Sequence, residues 1–270
     1  MNKKRFLAMI IEPADTFLKH GEIMADLARS FIRQSIFTKP KIEYKTDGSP
    51  VTNFDKELEV ILRGYIHDKY PEHGIIGEEL TAVNPSAEFT WLLDPIDGTL
   101  AFLTGIPVYG TLISLLHDGF PILGIIDIPM TSDRWIGQKN KKTHHNGRFI
   151  KTSDCSVLSE ATLSTSSPDY YDETNINVLK TLQSATVQTV YGGSCVAYGQ
   201  IASGKIDLGI DANFDIHDFL PLIPIIEGAG GLLTNWQGET LSKESGTENM
   251  IASANPYLHG KALEKINHLK

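Results

Sequence analysis

Apolar residues recur at helical spacing near the start of the chain. Phe17, Ile23, Met24, Leu27 and Phe31 fall on one face of a predicted helix over residues 13–35, with Pro13 near its first turn, where a missing N–H costs little. The run Lys45-Thr46-Asp47-Gly48-Ser49-Pro50 predicts a loop. Residues 53–70 predict a second helix, with Leu58, Ile61, Leu62 and Tyr65 on one side and Thr52 or Asn53 as cap. The period then changes. Residues 74–77 and 90–93 are short unbroken apolar runs, each ending at acids. Residues 108–116 and 122–128 are longer runs joined by His117-Asp118-Gly119-Phe120-Pro121, and Asp-Gly between apolar runs predicts a hairpin. Short strands over 134–138 and 148–151 flank the turn His145-Asn146-Gly147.

The second half alternates. Helices are predicted over 173–184, 194–203 (after Gly192-Gly193) and 218–228, strands over 186–191, 206–210 and 251–254, and a terminal helix from Pro256. Helices interleaved with strands and a hairpin region predict a layered α/β (α+β) class. Nothing repeats at a fixed period, and no Pro/Gly/Ser linker divides the 270 residues. The polar stretch 139–151 marks a soft boundary, so we expect one domain of two halves, about 1–145 and 146–270, sharing a core.

Composition narrows the function. Apolar residues at 41% and charged residues at 21% describe a folded chain, not a disordered one. Lys+Arg number 24 against 33 Asp+Glu, a net charge of −9 that lacks the basic stripe of a nucleic-acid binder. Bulk charge would also repel an anionic substrate, so any such substrate needs positive charge recruited locally. Cys155 and Cys195 form no CxxC pair, which predicts neither a thiolate metal site nor a disulfide scaffold, and suits a reducing cytoplasm. The basic start and the apolar residues 6–11 resemble a signal peptide, but Glu12 and Pro13 cut the run short. No run approaches a membrane span, so no membrane partner is expected.

The chemistry lies at strand ends. Trp91-Leu92-Leu93 runs straight into Asp94-Pro95-Ile96-Asp97-Gly98-Thr99. Two carboxylates held so close repel unless a cation sits between them or one is protonated. A hard divalent cation such as Mg²⁺ takes carboxylates, a carbonyl and water, and the Ile96 carbonyl between the acids suits the neutral place. The Gly98 and Thr99 N–H groups would face a bound anion. Gly77-Glu78-Glu79 also follows a strand directly. His217-Asp218 opens a helix that ends in Glu227-Gly228-Ala229-Gly230-Gly231; the alternative reading is a capping Asp beside a packing His. Lys45 through Asp55, KTDGSPVTNFD, is by itself a loop and a capped helix.

In this order and spacing the four segments resemble the inositol-monophosphatase superfamily of Mg²⁺-dependent, lithium-sensitive phosphomonoesterases. The resemblance implies an αβαβα sandwich. It implies Glu78, Asp94 and the Ile96 carbonyl as ligands of one metal, Asp94, Asp97 and Asp218 of a second, and a weaker third Mg²⁺ near Glu78; Mn²⁺ is the other candidate ion. Asp55 and Thr99 resemble the pair that activates the attacking water, together with Glu78, and Gly98 and Thr99 the phosphate-binding amides. Glu79 and Lys45 belong to the motifs without an assigned role. Asp211 stands where the family usually has a glutamate that contacts substrate, with Asp97 and Ser194 as further substrate-side candidates.

Tyr109-Gly-Thr-Leu-Ile-Ser-Leu-Leu, Gly124-Ile-Ile-Asp-Ile-Pro129, Asp133-Arg-Trp-Ile-Gly137, Tyr191-Gly-Gly193 and Leu220-Pro221-Leu-Ile-Pro224 resemble the histidinol-phosphate phosphatases of that superfamily. Ser194 departs from that branch, which commonly has an acid there. The implied activity is hydrolysis of a small phosphorylated metabolite in a cytoplasmic homodimer, histidinol phosphate first and inositol 1-phosphate or a sugar bisphosphate as the alternative. A regulatory member with little turnover is the reading of another class; the retained acids count against it.

Overall fold

In strand β4 (Phe89–Asp97) Leu92 points to one side of its sheet, and Trp91 and Leu93 to the other. Both sides are apolar, so both must be covered. The computed structural model describes residues 3–46 and 48–267, with side chains from residue 16 onward. The side chains of the signal-like run and of Pro13, and Asp47 of the loop, fall outside what is described.

The sheet of β4 has seven strands. Its order is β3 (Gly74–Gly77), β4, β5 (Gly110–His117), β6 (Phe120–Ile128), β7 (Asp133–Gln138), β8 (His144–His145) and β9 (Arg148–Phe149), with only β3 and β4 parallel. Helices α1 (Lys3–Ser35) and α2 (Asn53–Lys69) cover one face, where Met24, Ile32, Leu58 and Leu62 pack on Trp91, Leu93, Ile113 and Ile125. Helices α5 (Ser194–Ala202), α6 (Ile216–Phe219) and α7 (Leu222–Gly228) lie on the other. Beyond them a second sheet runs in the order β11 (Gln188–Tyr191), β10 (Thr162–Thr165), β12 (Leu208–Phe214), β14 (Glu248–Ser253), β13 (Leu232–Asn235). Its outer face carries α4 (Ile176–Ala185) and α8 (Pro256–Asn267) over Leu163, Leu208, Ile210 and Ile251. The layers therefore read α, β, α, β, α, as the sequence implies.

Several elements depart from expectation. Helix α1 starts at Lys3, so Pro13 lies inside it and not in its first turn. The loop expected over 45–50 is there, but it joins a small hairpin whose strands, β1 (Ile42–Tyr44) and β2 (Pro50–Thr52), are not expected from the sequence. The helix expected over 218–228 is two, α6 and α7, broken before Leu222 by Pro221, which has no amide to continue the first. Strands β10 and β13 and the short helix α3 (Thr99–Thr104) are additional. Each is six residues or fewer, and β10 presents buried Ser164 and Thr165, so no apolar run announces it.

Candidate metal-dependent active site

Residues three apart on a flat strand face opposite ways. Asp94 and Asp97 escape this because β4 is bulged. Asp94 pairs with Leu112 and Asp97 with Gly110, so three steps on β4 match two on β5. The Thr111 hydroxyl fixes the bulge by donating to the Pro95 carbonyl at 2.8 Å. Both acids now serve one side. Gly98, at φ 76°, then turns the chain into α3 from a conformation an L side chain rarely adopts.

The other acids arrive by two devices. Glu78 follows parallel strand β3, its amide donating to the Leu93 carbonyl at 3.1 Å, which sets it beside Asp94. Asp55 and Asp218 are each the third residue of a helix closed by a capping box. Asp55 Oδ2 accepts from the Thr52 amide at 2.8 Å and the Thr52 hydroxyl at 2.5 Å. Asp218 Oδ2 accepts from the Asp215 amide at 2.8 Å. In each case one oxygen is spent on the box, which leaves the other for the site. Asp218 is thus not itself the N-cap; Asp215 is.

One carboxylate oxygen each from Asp94, Asp97 and Asp218 lies within 4.8 Å of the others. Asp97 Oδ2 accepts from the Cys195 amide at 2.7 Å. Asp94 is buried, and its Oδ1 has no hydrogen-bond partner in the protein. Burial, then the charges of Glu78, Asp97 and Asp218, push the Asp94 carboxyl well above its ordinary range. Burial pushes Asp218 up to about 7 and raises Asp97, while the amides they accept from pull the other way. Burial raises Asp55 as well. An orphaned buried oxygen among mutually repelling carboxylates is the environment that a divalent cation relieves. An all-oxygen donor set suits Mg²⁺ or Mn²⁺ rather than a softer metal. The residues present fit that ion.

Around this cluster, Lys45 Nζ lies 2.6 Å from Glu78 Oε1 and 2.8 Å from Glu79 Oε1, so the two residues without an assigned role meet each other. Thr99 Oγ1 lies 3.1 Å from the Ile96 carbonyl and 3.5 Å from Asp55 Oδ1. Ser194, at φ 43°, sits against Gly98: a Cβ there would lie 2.7 Å from its Oγ. Asp211 is different. It is buried behind the site, and its oxygens accept from Thr165 Oγ1, the Ser166 amide and hydroxyl, and Tyr198 OH at 2.5 to 3.2 Å. Burial raises it to about 6 against those four donors.

Two neighbours were not foreseen. His217, expected to be a packing or hydrogen-bonding residue, has its Nε2 3.9 Å from Glu78 Oε1 and 3.8 Å from Asp218 Oδ1, a placement beside Glu78 that its sequence position does not show. Burial would lower its pKa, but those carboxylates raise it. Tyr170 carries no motif signal; its hydroxyl is raised by burial and then by Asp97, Asp211 and Asp218.

The chain belongs to the inositol monophosphatase family, whose model matches residues 15–270, and the acidic cluster of Asp94, Asp97 and Asp218 lies within that match. It is a phosphomonoesterase of that family. Among its relatives is "Bifunctional phosphatase IMPL2, chloroplastic" of Arabidopsis thaliana, 40% identical over 93% of this chain and 75% of that one. "Histidinol-phosphatase" of Chlorobaculum parvum is 30% identical over 72% of this chain and 75% of that one. A solved structure of an inositol monophosphatase from Zymomonas mobilis superposes with a TM-score of 0.85 at 37% identity, covering 94% of this chain and 98% of that one.

Proposed function

We propose that the protein hydrolyses histidinol phosphate to histidinol, using two or three Mg²⁺ ions held by Glu78, Asp94, the Ile96 carbonyl, Asp97 and Asp218. The observation that carries the metal-dependent reading is the partnerless buried Oδ1 of Asp94 beside Asp97 and Asp218. The substrate rests on the histidinol-type motifs and is supported by the histidinol-phosphatase among the relatives. Bound Mg²⁺ would supply positive charge to the phosphate oxygens and make a coordinated water acidic enough to deprotonate near neutral pH. The protein's part is positional. Thr99 Oγ1 accepts a proton from the attacking water as it gives its own to Asp55 Oδ1, whose other oxygen Thr52 holds still. Gly98 and Thr99, at the first turn of α3, present amides with no partner inside the helix to the phosphate. Ser194 and Asp97 face the substrate side, and Asp211 supports it from behind.

The Zymomonas mobilis structure favours inositol 1-phosphate as a second reading. A panel decides between them: phosphate release from histidinol phosphate, inositol 1-phosphate and fructose 1,6-bisphosphate with Mg²⁺. The expected order puts histidinol phosphate first. Inositol 1-phosphate ahead by about tenfold or more in kcat/KM, a difference of about 1.4 kcal/mol in transition-state stabilisation, sinks the substrate assignment. Asp94→Asn should abolish Mg²⁺-dependent release in the same assay; near-normal turnover would refute the metal assignment. We further propose a homodimer in a reducing compartment, consistent with the free thiols of Cys155 and Cys195; sedimentation reads the first.

A further inference from the structure

Helix α2 touches the site twice. Asp55 sits in its first turn, and Glu59 and Arg63 follow at four-residue steps on the same face. Glu59 is fully buried. Its Oε2 accepts from the Glu79 amide at 2.8 Å, and its Oε1 from the Leu80 amide at 3.2 Å and from Arg63 Nε at 2.7 Å. Arg63 in turn donates to the Leu80 carbonyl at 2.8 Å and the Thr81 carbonyl at 3.0 Å. The approach is so close that a Cβ on Gly77 would lie 2.0 Å from Glu59 Oε1. Gly77 is therefore required for space.

A buried ion pair is a poor way to add stability, since desolvation offsets most of the attraction. What it adds over an apolar contact is direction. Here its hydrogen bonds end on the backbone immediately after Glu78, while the Glu78 amide is tied to Leu93 on the other side. Glu78 is suspended between the two.

We infer that Glu59, held by Arg63, is a positioning residue that clamps the Gly77-Glu78-Glu79 turn so that Glu78 faces Asp94, and that it thereby sets the affinity for Mg²⁺ without touching the ion. The inference rests on reading Glu78 as a metal ligand. It is tested by titrating Mg²⁺ calorimetrically into the wild type, Glu59→Gln, Gly77→Ala and Asp94→Asn, alongside phosphate release as a function of Mg²⁺. Glu59→Gln should raise the Mg²⁺ Kd and the half-saturating Mg²⁺ together by about 10- to 100-fold. At saturating Mg²⁺, kcat should return to within about threefold of wild type, because the reacting groups are intact. Gly77→Ala should act in the same direction by pushing Glu59 away with both charges kept, and it decides the matter if Glu59→Gln does not fold. An unchanged Mg²⁺ Kd in the folded variants, or a kcat that stays low at saturating Mg²⁺, overturns the clamp. Asp94→Asn separates the two failures. If it loses Mg²⁺ binding while Glu59→Gln does not, the clamp alone is wrong; if it binds Mg²⁺ as wild type does, the reading of the site is wrong.

Discussion

A single extra residue makes the Asp94–Asp97 pair work. The sequence shows two acids around a proline, and that spacing is legible as unusual. The opposite-facing geometry of a flat strand is overcome only by the bulge against Gly110 and Leu112, which depends on a partner strand thirteen or more residues away. Asp211 shows the converse. The family resemblance implies a substrate contact for Asp211, and the structure surrounds it with four donors that come from β10 and α5 as well as the following turn. Away from the site, His259 is buried between the hydroxyls of Thr234 and Ser253, at 2.8 and 2.9 Å, and burial lowers its pKa to about 4. The unfolded chain binds this proton more readily, so its contribution to stability is present above the ordinary histidine pKa and is lost as pH falls toward 4. Between pH 7.5 and 5 it should cost about 2 kcal/mol of unfolding free energy. Site acids with raised pKa act in the opposite direction, so the measurement is the difference between wild type and His259→Gln in urea at both pH values. Equal pH slopes in the two proteins would contradict it.

At the scale of elements, the capping boxes at α2 and α6 are written locally. Thr52 with Asp55, and Asp215 with Asp218, satisfy the pattern by side chains three residues apart, so the helix starts are legible without a structure, while the role of these acids is legible only through the family resemblance. The break at Pro221 is local too, but its purpose is not. A Cβ on Gly124 would lie 1.9 Å from the Pro221 carbonyl, and one on Gly137 2.3 Å from the backbone of Pro224 and Ile225. The Leu220–Pro224 and Gly124–Gly137 motifs that suggest the histidinol branch are thus two sides of one close helix–sheet contact. Gly137→Ala should lower the unfolding free energy by about 2–3 kcal/mol as α7 is forced off β7, read from the shift of a urea midpoint. An unshifted midpoint would show that the contact yields without cost.

For the whole molecule, the three apolar clusters carry the fold, and none includes the site carboxylates. Chelation of Mg²⁺ should therefore stop phosphate release while leaving the protein folded at room temperature, with the thermal midpoint lowered by only a few degrees as the ligand's contribution is removed. Global unfolding on addition of chelator, seen by circular dichroism, would show that the metal is part of the core. No helix among the described residues is long and apolar enough to cross a membrane. The net charge of −9 takes its meaning at this scale. Asp94, Asp97 and Asp218 cluster, and the charges of Glu78 and Asp55 bear on Asp94 as well; in the proposed reading these acids would hold cations that face phosphate.

The sequence by itself determined the interleaving of helices and strands, the acids at strand ends, and a family resemblance that implies the order of the layers, because alternation and motif spacing are properties of neighbouring residues. Only the tertiary structure decided that His217 faces Glu78 and Asp218, that Asp211 is enclosed, and that Glu59 and Arg63 grip the turn carrying Glu78. Those relations join residues from separate elements through single hydrogen bonds and charges, and they exist only once apolar burial has brought the elements into contact.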